Sequence, residues 1–176
     1  MIEYGSRWPE SPTDDSYSRT SNLNRFAHLH EWADALVSWL QTEYDCAVTD
    51  AAASVMASRE TIRTVTVTPT DHAAGALRFG FTDFPGLMVG FGRHLELAYP
   101  SCGCDACDES AAGLEEQLED YVLGFVNGGL SESADGSLYW LQGTDGGTGT
   151  GYHATLRHEY TSWFKRSIET VVKPSA

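Results

Sequence analysis

Three stretches of this chain alternate apolar residues with small or polar ones, one for one, and that pattern constrains the fold more than any other feature. Val65 and Val67 alternate with Thr64, Thr66 and Thr68, and Leu77, Phe79 and Phe81 alternate with Arg78, Gly80 and Thr82. Leu87, Val89, Phe91, Leu95 and Leu97 alternate with Met88, Gly90, Gly92, His94 and Glu96. Successive side chains of a strand point to opposite faces, so a period of two predicts three antiparallel strands with one buried face. Phe84-Pro85-Gly86-Leu87 places Pro and Gly at the centre of a type II turn, which predicts a hairpin between the second and third strands. Gly80, Gly90 and Gly92 are expected on the outward face, where they either twist the strands or leave a groove for a ligand or another backbone.

Helical periods flank the alternation. Leu23, Phe26, Leu29 or His30, Ala33, Leu36, Val37, Leu40 and Tyr44 recur every three or four residues, with Ser21 or Asn22 as N-cap, and predict a helix ending near Asp45. Leu114, Leu118, Tyr121, Val122 and Phe125 predict a second helix, with Glu115, Glu116, Glu119 and Asp120 on its wet face and Gly128 and Gly129 past its end. Residues 46–60 are small and weakly periodic and read as a connector or short helix. Leu138 to Leu141 and Tyr152 to Tyr160 read as strands, and Trp163, Phe164, Ile168, Val171 and Val172 as a closing helix or strand. The expected class is therefore α+β, a mostly antiparallel sheet of about five strands with two to three helices on one face. In a chain of 176 residues this is one domain over 21–176, preceded by an extended arm over 1–20. Tyr4, Trp8 and Tyr17 in that Ser/Thr/Pro-rich arm predict that part of it lies along the domain.

There are 25 acidic residues against 11 basic ones, a formal charge of −14. A nucleic-acid partner is not expected, because phosphate binding needs several Lys or Arg on one face. No apolar stretch approaches the roughly 20 residues that cross a bilayer. The first residues lack both a basic start and an apolar core, so neither a signal peptide nor a membrane anchor is expected. A cytoplasmic location follows as the expectation. There, a cluster of thiols reads as metal-binding or catalytic before it reads as disulfide.

Such a cluster is present as Cys102-Gly103-Cys104-Asp105-Ala106-Cys107. A Cys-x-x-Cys turn converges two thiolates on one ion about 2.3 Å away, and a third Cys two residues upstream can reach the same ion, a soft donor set that suits zinc. A closed site needs a fourth ligand. His158 and Cys46 rank ahead of His94, His153, Asp105 and Asp108, and the expected set is Cys102, Cys104, Cys107 and His158. The cluster falls between a strand and the second helix, where Asp108, Glu109 and Ser110 offer capping acceptors and the helix dipole favours thiolates. Redox or nucleophilic thiols, and thiols holding no metal, stand as alternatives.

The run Leu77-Arg78-Phe79-Gly80-Phe81-Thr82-Asp83-Phe84-Pro85-Gly86, followed by Tyr99-Pro100-Ser101 and the cysteine stretch through Asp108-Glu109, resembles the signature of an uncharacterised protein family of high-GC actinobacteria. Asn22 to His30 and Tyr44-Asp45 resemble that family's first helix, so the similarity runs from about Tyr17 to Leu130. The resemblance implies a bacterial, cytosolic protein and supplies no substrate.

Other motifs are weaker. Gly143-Thr144-Asp145-Gly146-Gly147-Thr148-Gly149-Thr150-Gly151 has no lysine and leads into a strand, so it reads as a flexible hairpin loop instead of a phosphate cradle. His94 and Glu96, two apart on one strand, could pair as base and orienter beside the glycines. No catalytic residue and no organic cofactor is expected. The reading is a binding or regulatory module with a structural zinc site and an unidentified protein or small-molecule partner. A zinc enzyme with an open position for water, served by His94 and Glu96, is the alternative. A third possibility is an acidic inhibitor of a basic partner, steered by charge.

Overall fold

A computed structural model describes residues 4–57, 59–144, 146–150 and 158–166. Five strands, β1 (Cys46–Met56), β2 (Arg59–Pro69), β3 (Leu77–Phe81), β4 (Leu87–Phe91) and β5 (Leu95–Tyr99), form an antiparallel meander in that order. Helix α1 (His28–Glu43) precedes the meander and α2 (Ala111–Val126) follows it. A second antiparallel sheet, in the order β8-β7-β6-β9, comprises β6 (Leu130–Glu132), β7 (Tyr139–Gln142), β8 (Gly147–Gly149) and β9 (His158–Glu159). The architecture is α+β. No helix among the described residues is long and apolar enough to cross a membrane.

The alternating residues do what their period requires. Val65 and Val67, Leu77, Phe79 and Phe81, Leu87, Val89 and Phe91, and Leu95 and Tyr99 are all buried on one face. Against that face α1 packs Leu29, Ala33, Leu36, Val37 and Leu40, and α2 packs Leu114, Leu118, Val122 and Phe125. His30 of α1 sits edge-on to Phe81, with ring centroids 5.2 Å apart, and Phe125 of α2 edge-on to Phe91, at 5.7 Å. Burying each such Leu or Phe is worth about 1.5–3 kcal/mol, so this single interface dominates stability. Tyr160 and Trp163 close it from the far end by packing on Phe125.

Residues 46–56 form β1, not a connector or helix. Its register with β2 runs from Cys46 opposite Pro69 to Met56 opposite Arg59. β1 is an edge strand largely exposed on both faces, so nothing selects an apolar alternation along it and its strand character is invisible in its pattern. The stretch from Leu87 to Leu97 is two strands. Gly92, at φ +64°, breaks it, and the phenol of Tyr160 occupies the space a Cβ at Gly92 would need. Between β3 and β4 the expected hairpin forms, but without a type II turn, since Gly86 has no positive φ. Gly86 N–H donates to the Phe84 carbonyl at 2.6 Å around Pro85, and Thr82 donates both its N–H and its hydroxyl to the Gly86 carbonyl.

The first helix starts later than its apolar period suggests. Leu23–Phe26 forms a 3-10 turn with Asn22 at φ +52°, and α1 begins at His28. Ser21 lies too far upstream to cap it, and its N–H and hydroxyl donate instead to the Asp105 carboxylate. The glycine-lined outer face is covered. Met56 and Thr61 side chains occupy the space beside Gly80, and the Arg78 guanidinium lies over Gly90 while pairing with Glu96 at 3.2 Å. Part of the Gly-rich segment is β8, whose Gly147 and Gly149 admit the Trp140 indole against the backbone. Of the expected strand from Tyr152 to Tyr160 the described part forms β9, and residues 152–157 lie outside the described residues; of the expected closing element, Trp163 and Phe164 are in neither helix nor strand, and Ile168, Val171 and Val172 lie outside the described residues.

Candidate metal centre

The loop between β5 and α2 is shaped by one carboxylate. Glu109 accepts hydrogen bonds from Ser101 N–H and Ser101 Oγ, both at 2.9 Å, and from Gly103 N–H at 3.2 Å. Gly103 adopts φ +77° and Asp108 φ +54°, two left-handed positions that fold the chain back on itself. Ser110 then caps α2 by accepting from Gly113 N–H at 3.1 Å.

This folding brings three thiols together. The Sγ atoms of Cys102, Cys104 and Cys107 all lie within 4.8 Å of one another. Cys102 Sγ is 3.2 Å from Cys107 Sγ, Cys104 Sγ donates to Cys107 Sγ at 3.4 Å, and Cys104 N–H donates to Cys102 Sγ at 3.2 Å. Tetrahedral ligation at 2.3 Å spaces sulfurs roughly 3.8 Å apart, so only small shifts separate this set from a metal-binding one. No disulfide joins the thiols; Cys104 is buried, and Cys102 and Cys107 are exposed. The Cys102 thiol, followed by the Cys107 amide, holds the Cys104 thiol below its usual pKa, while contact with Cys102 and then burial push Cys107 up to about 12. Binding a cation expels the protons that the thiols carry.

The N-terminal arm is docked on this loop. Asp105 N–H donates to the Arg19 carbonyl at 2.8 Å, and Ala106 N–H to the Ser16 carbonyl at 3.2 Å. Trp8 Nε1 donates to the Asp105 carbonyl at 3.2 Å, Arg7 N–H donates to the Asp108 carboxylate at 2.7 Å, and Arg25 Nε donates to the Glu109 carbonyl at 3.1 Å. Ser16 is fully buried, and the Arg7 and Arg25 guanidinium groups stack on the Tyr4 ring from 5.0 and 4.2 Å. The Ser21 hydroxyl and amide hold the Asp105 carboxyl below the ordinary carboxylate range.

The expected fourth ligand is not brought to the three sulfurs. His158 lies on β9 opposite Glu132, with its ring edge-on to Tyr160 at 4.6 Å. Glu132 in turn binds the amides of His94 and Leu95, at the opposite end of β5 from the cysteine loop. Cys46 is at the start of β1, on the other edge of the sheet, where burial raises its pKa and its thiol donates to the Leu40 carbonyl at 3.6 Å. His94 is in the β4–β5 turn against Gly136, and Glu96 is paired with Arg78, so these two do not form a base and its orienter. Asp105 and Asp108 are engaged by Ser21 and Arg7. His153 lies outside the described residues. Among the described residues the converged ligand set is the three cysteines.

Cys102 apart, sequence reasoning did not single out the groups that line the cleft beside this centre. Arg59, Glu60, Thr82, Asp83, Phe84 and Cys102 surround a cleft of about 510 Å³. Arg59 and Glu60 open β2, and Asp83 and Phe84 belong to the β3–β4 turn. Only the meander brings them to Cys102.

No curated protein and no solved structure matches the chain. A profile described as a family of unknown function (DUF6226) matches residues 1–172. With nearly its whole length covered, the chain belongs to this family of unknown function.

Proposed function

We propose that this protein is a binding or regulatory module built on a zinc site of structural purpose. Cys102, Cys104 and Cys107 supply three thiolates, and the ion ties the end of β5 to the start of α2 and to the docked arm. The observation that carries the reading is the convergence of three reduced thiols in a loop whose backbone the arm engages at Asp105 and Ala106. Zinc fits better than a hard cation because the donors are all soft sulfur. Free thiols suit a reducing, cytoplasmic setting.

Metal analysis of protein purified under reducing conditions tests this. One zinc per chain is expected, lost in Cys104→Ser and accompanied by a fall in thermal midpoint. A metal-free wild-type protein that cannot be loaded with zinc overturns the reading. Zinc binding that leaves the midpoint unchanged overturns its structural part.

A further inference from the structure

From the Cys102 cleft we infer that the fourth position of the ion is open and takes a small thiol bearing a cationic group. This rests on the three-sulfur metal site proposed above and names its ligand.

The local carboxylates that could close the site are already employed. Asp105 binds Ser21, Asp108 binds Arg7, and Glu109 gathers the Ser101 and Gly103 amides that shape the loop. Releasing any of them orphans buried or loop donors, at about 1–3 kcal/mol each. With no fourth donor beside the three sulfurs among the described residues, an ion held by these thiolates completes its shell from outside them. The outside is specific, because exposed Cys102 forms one wall of the roughly 510 Å³ cleft, which has room for a molecule of several heavy atoms.

Two properties of this cleft select the ligand. Three sulfur donors leave a soft cation, for which a fourth sulfur is a matched donor. The lining carries two carboxylates, Glu60 and Asp83, neither of which has a hydrogen-bond or ion-pair partner among the described residues, against one guanidinium, Arg59, which donates to the Ser101 carbonyl at 3.4 Å. A divalent ion with three thiolates is itself net negative. Both charges favour an ammonium on the ligand and disfavour a carboxylate. Binding is a ligand exchange without redox change: the thiol sulfur replaces water on the ion, and the S–H proton passes to solvent.

Cobalt(II) replaces zinc in such sites and reports its donor set by visible absorption. Cobalt-loaded protein is titrated with cysteamine, 2-mercaptoethanol and 3-mercaptopropionate, while native mass spectrometry follows the bound metal. The expected result is a shift towards a four-sulfur spectrum with cobalt retained, at lowest concentration for cysteamine and highest for 3-mercaptopropionate. In the Glu60→Gln/Asp83→Asn double variant, cysteamine affinity falls about two- to fivefold, the scale of partly exposed ion pairs, and 2-mercaptoethanol is unaffected. Failure to bind cobalt or zinc overturns the metal reading itself. Cobalt bound with a spectrum insensitive to all three thiols leaves the metal reading standing and overturns the open position. Equal response to the three thiols, or stripping of the metal by cysteamine, overturns the ligand assignment.

Discussion

The phenol of Tyr160 donates to the carboxylate of Glu132 at 2.7 Å in the interior, joining the strand that follows α2 to the last described segment. The same carboxylate accepts from His94 N–H and Leu95 N–H, both at 3.0 Å, and thereby fastens the second sheet to the β4–β5 turn. Burial and the neighbouring carboxylate push the Tyr160 hydroxyl above its ordinary pKa, so it remains a donor throughout the physiological range.

Glu132→Ala leaves these donors buried without an acceptor and is expected to cost about 3 kcal/mol, against about 1–2 kcal/mol for Tyr160→Phe, which removes one donor, leaves Arg93 N–H with only its 3.4 Å contact to Glu132 and keeps the ring packing. Urea unfolding of the two variants distinguishes the costs. Equal, near-zero effects would show that the network contributes nothing net.

Asp105 joins the arm to the cysteine loop. Asp105→Ala removes the acceptor of both Ser21 donors and should lower stability by about 1–3 kcal/mol. It should also expose the arm to limited proteolysis before the domain unfolds. Removal of the proposed zinc by a chelator should produce the same cleavage pattern and lower the midpoint by about 5 °C, the shift that roughly 2 kcal/mol gives in a domain of this size. An arm equally resistant in wild type, variant and chelated protein would contradict the coupling.

Gly124 lies where α2 crosses β7, and a Cβ there would overlap the Gln142 carbonyl oxygen. That oxygen is backbone in a paired strand and cannot swing aside. Gly124→Ala, normally favourable in a helix, should therefore destabilise by about 2–3 kcal/mol. Gly113→Ala, whose Cβ would meet only the Ser110 hydroxyl at 3.1 Å, is the control in the same helix.

His28 Nδ1 meets Glu115 Oε1 at 2.8 Å, linking the start of α1 to α2. The hydrogen bond to Glu115, and then its charge, raise the His28 pKa above 6.5. A pKa raised by folding contributes stability that is fully present below about 6.5 and is lost as pH rises through the folded value. NMR titration should place the His28 midpoint above 6.5 and return it towards that value in Glu115→Gln. An unchanged midpoint in the variant would remove the link.

The parts of the fold that face the core were legible because burial imposes a period. Val65, Phe79, Val89 and Leu118 could be placed from spacing alone. β1 could not, since an exposed edge strand such as Cys46–Met56 has no face on which selection for apolar side chains leaves a record. Gly92 shows the converse limit. The apolar phase of Leu87, Val89 and Phe91 resumes at Leu95 and Leu97 with only Arg93 out of pattern, and the Tyr160 ring packed against Gly92 accounts for the turn there.

Local spacing was sufficient to determine that three thiols gather between a strand and a helix, because Cys102, Cys104 and Cys107 are too close in the chain to be separated by a tight loop. What surrounds them is a matter of long-range contact. Arg7, Trp8 and Ser21 reach the loop from 84 to 101 residues away, and Glu60 and Asp83 arrive from β2 and the β3–β4 turn. His158 is held at the opposite end of β5 by its pairing with Glu132. Ligand count and ligand access depend on such distances. Residue types and spacing determined which three thiols can converge, and only the packing of the meander, the arm and the second sheet decided that His158 lies away from them and that Cys102 faces a cleft.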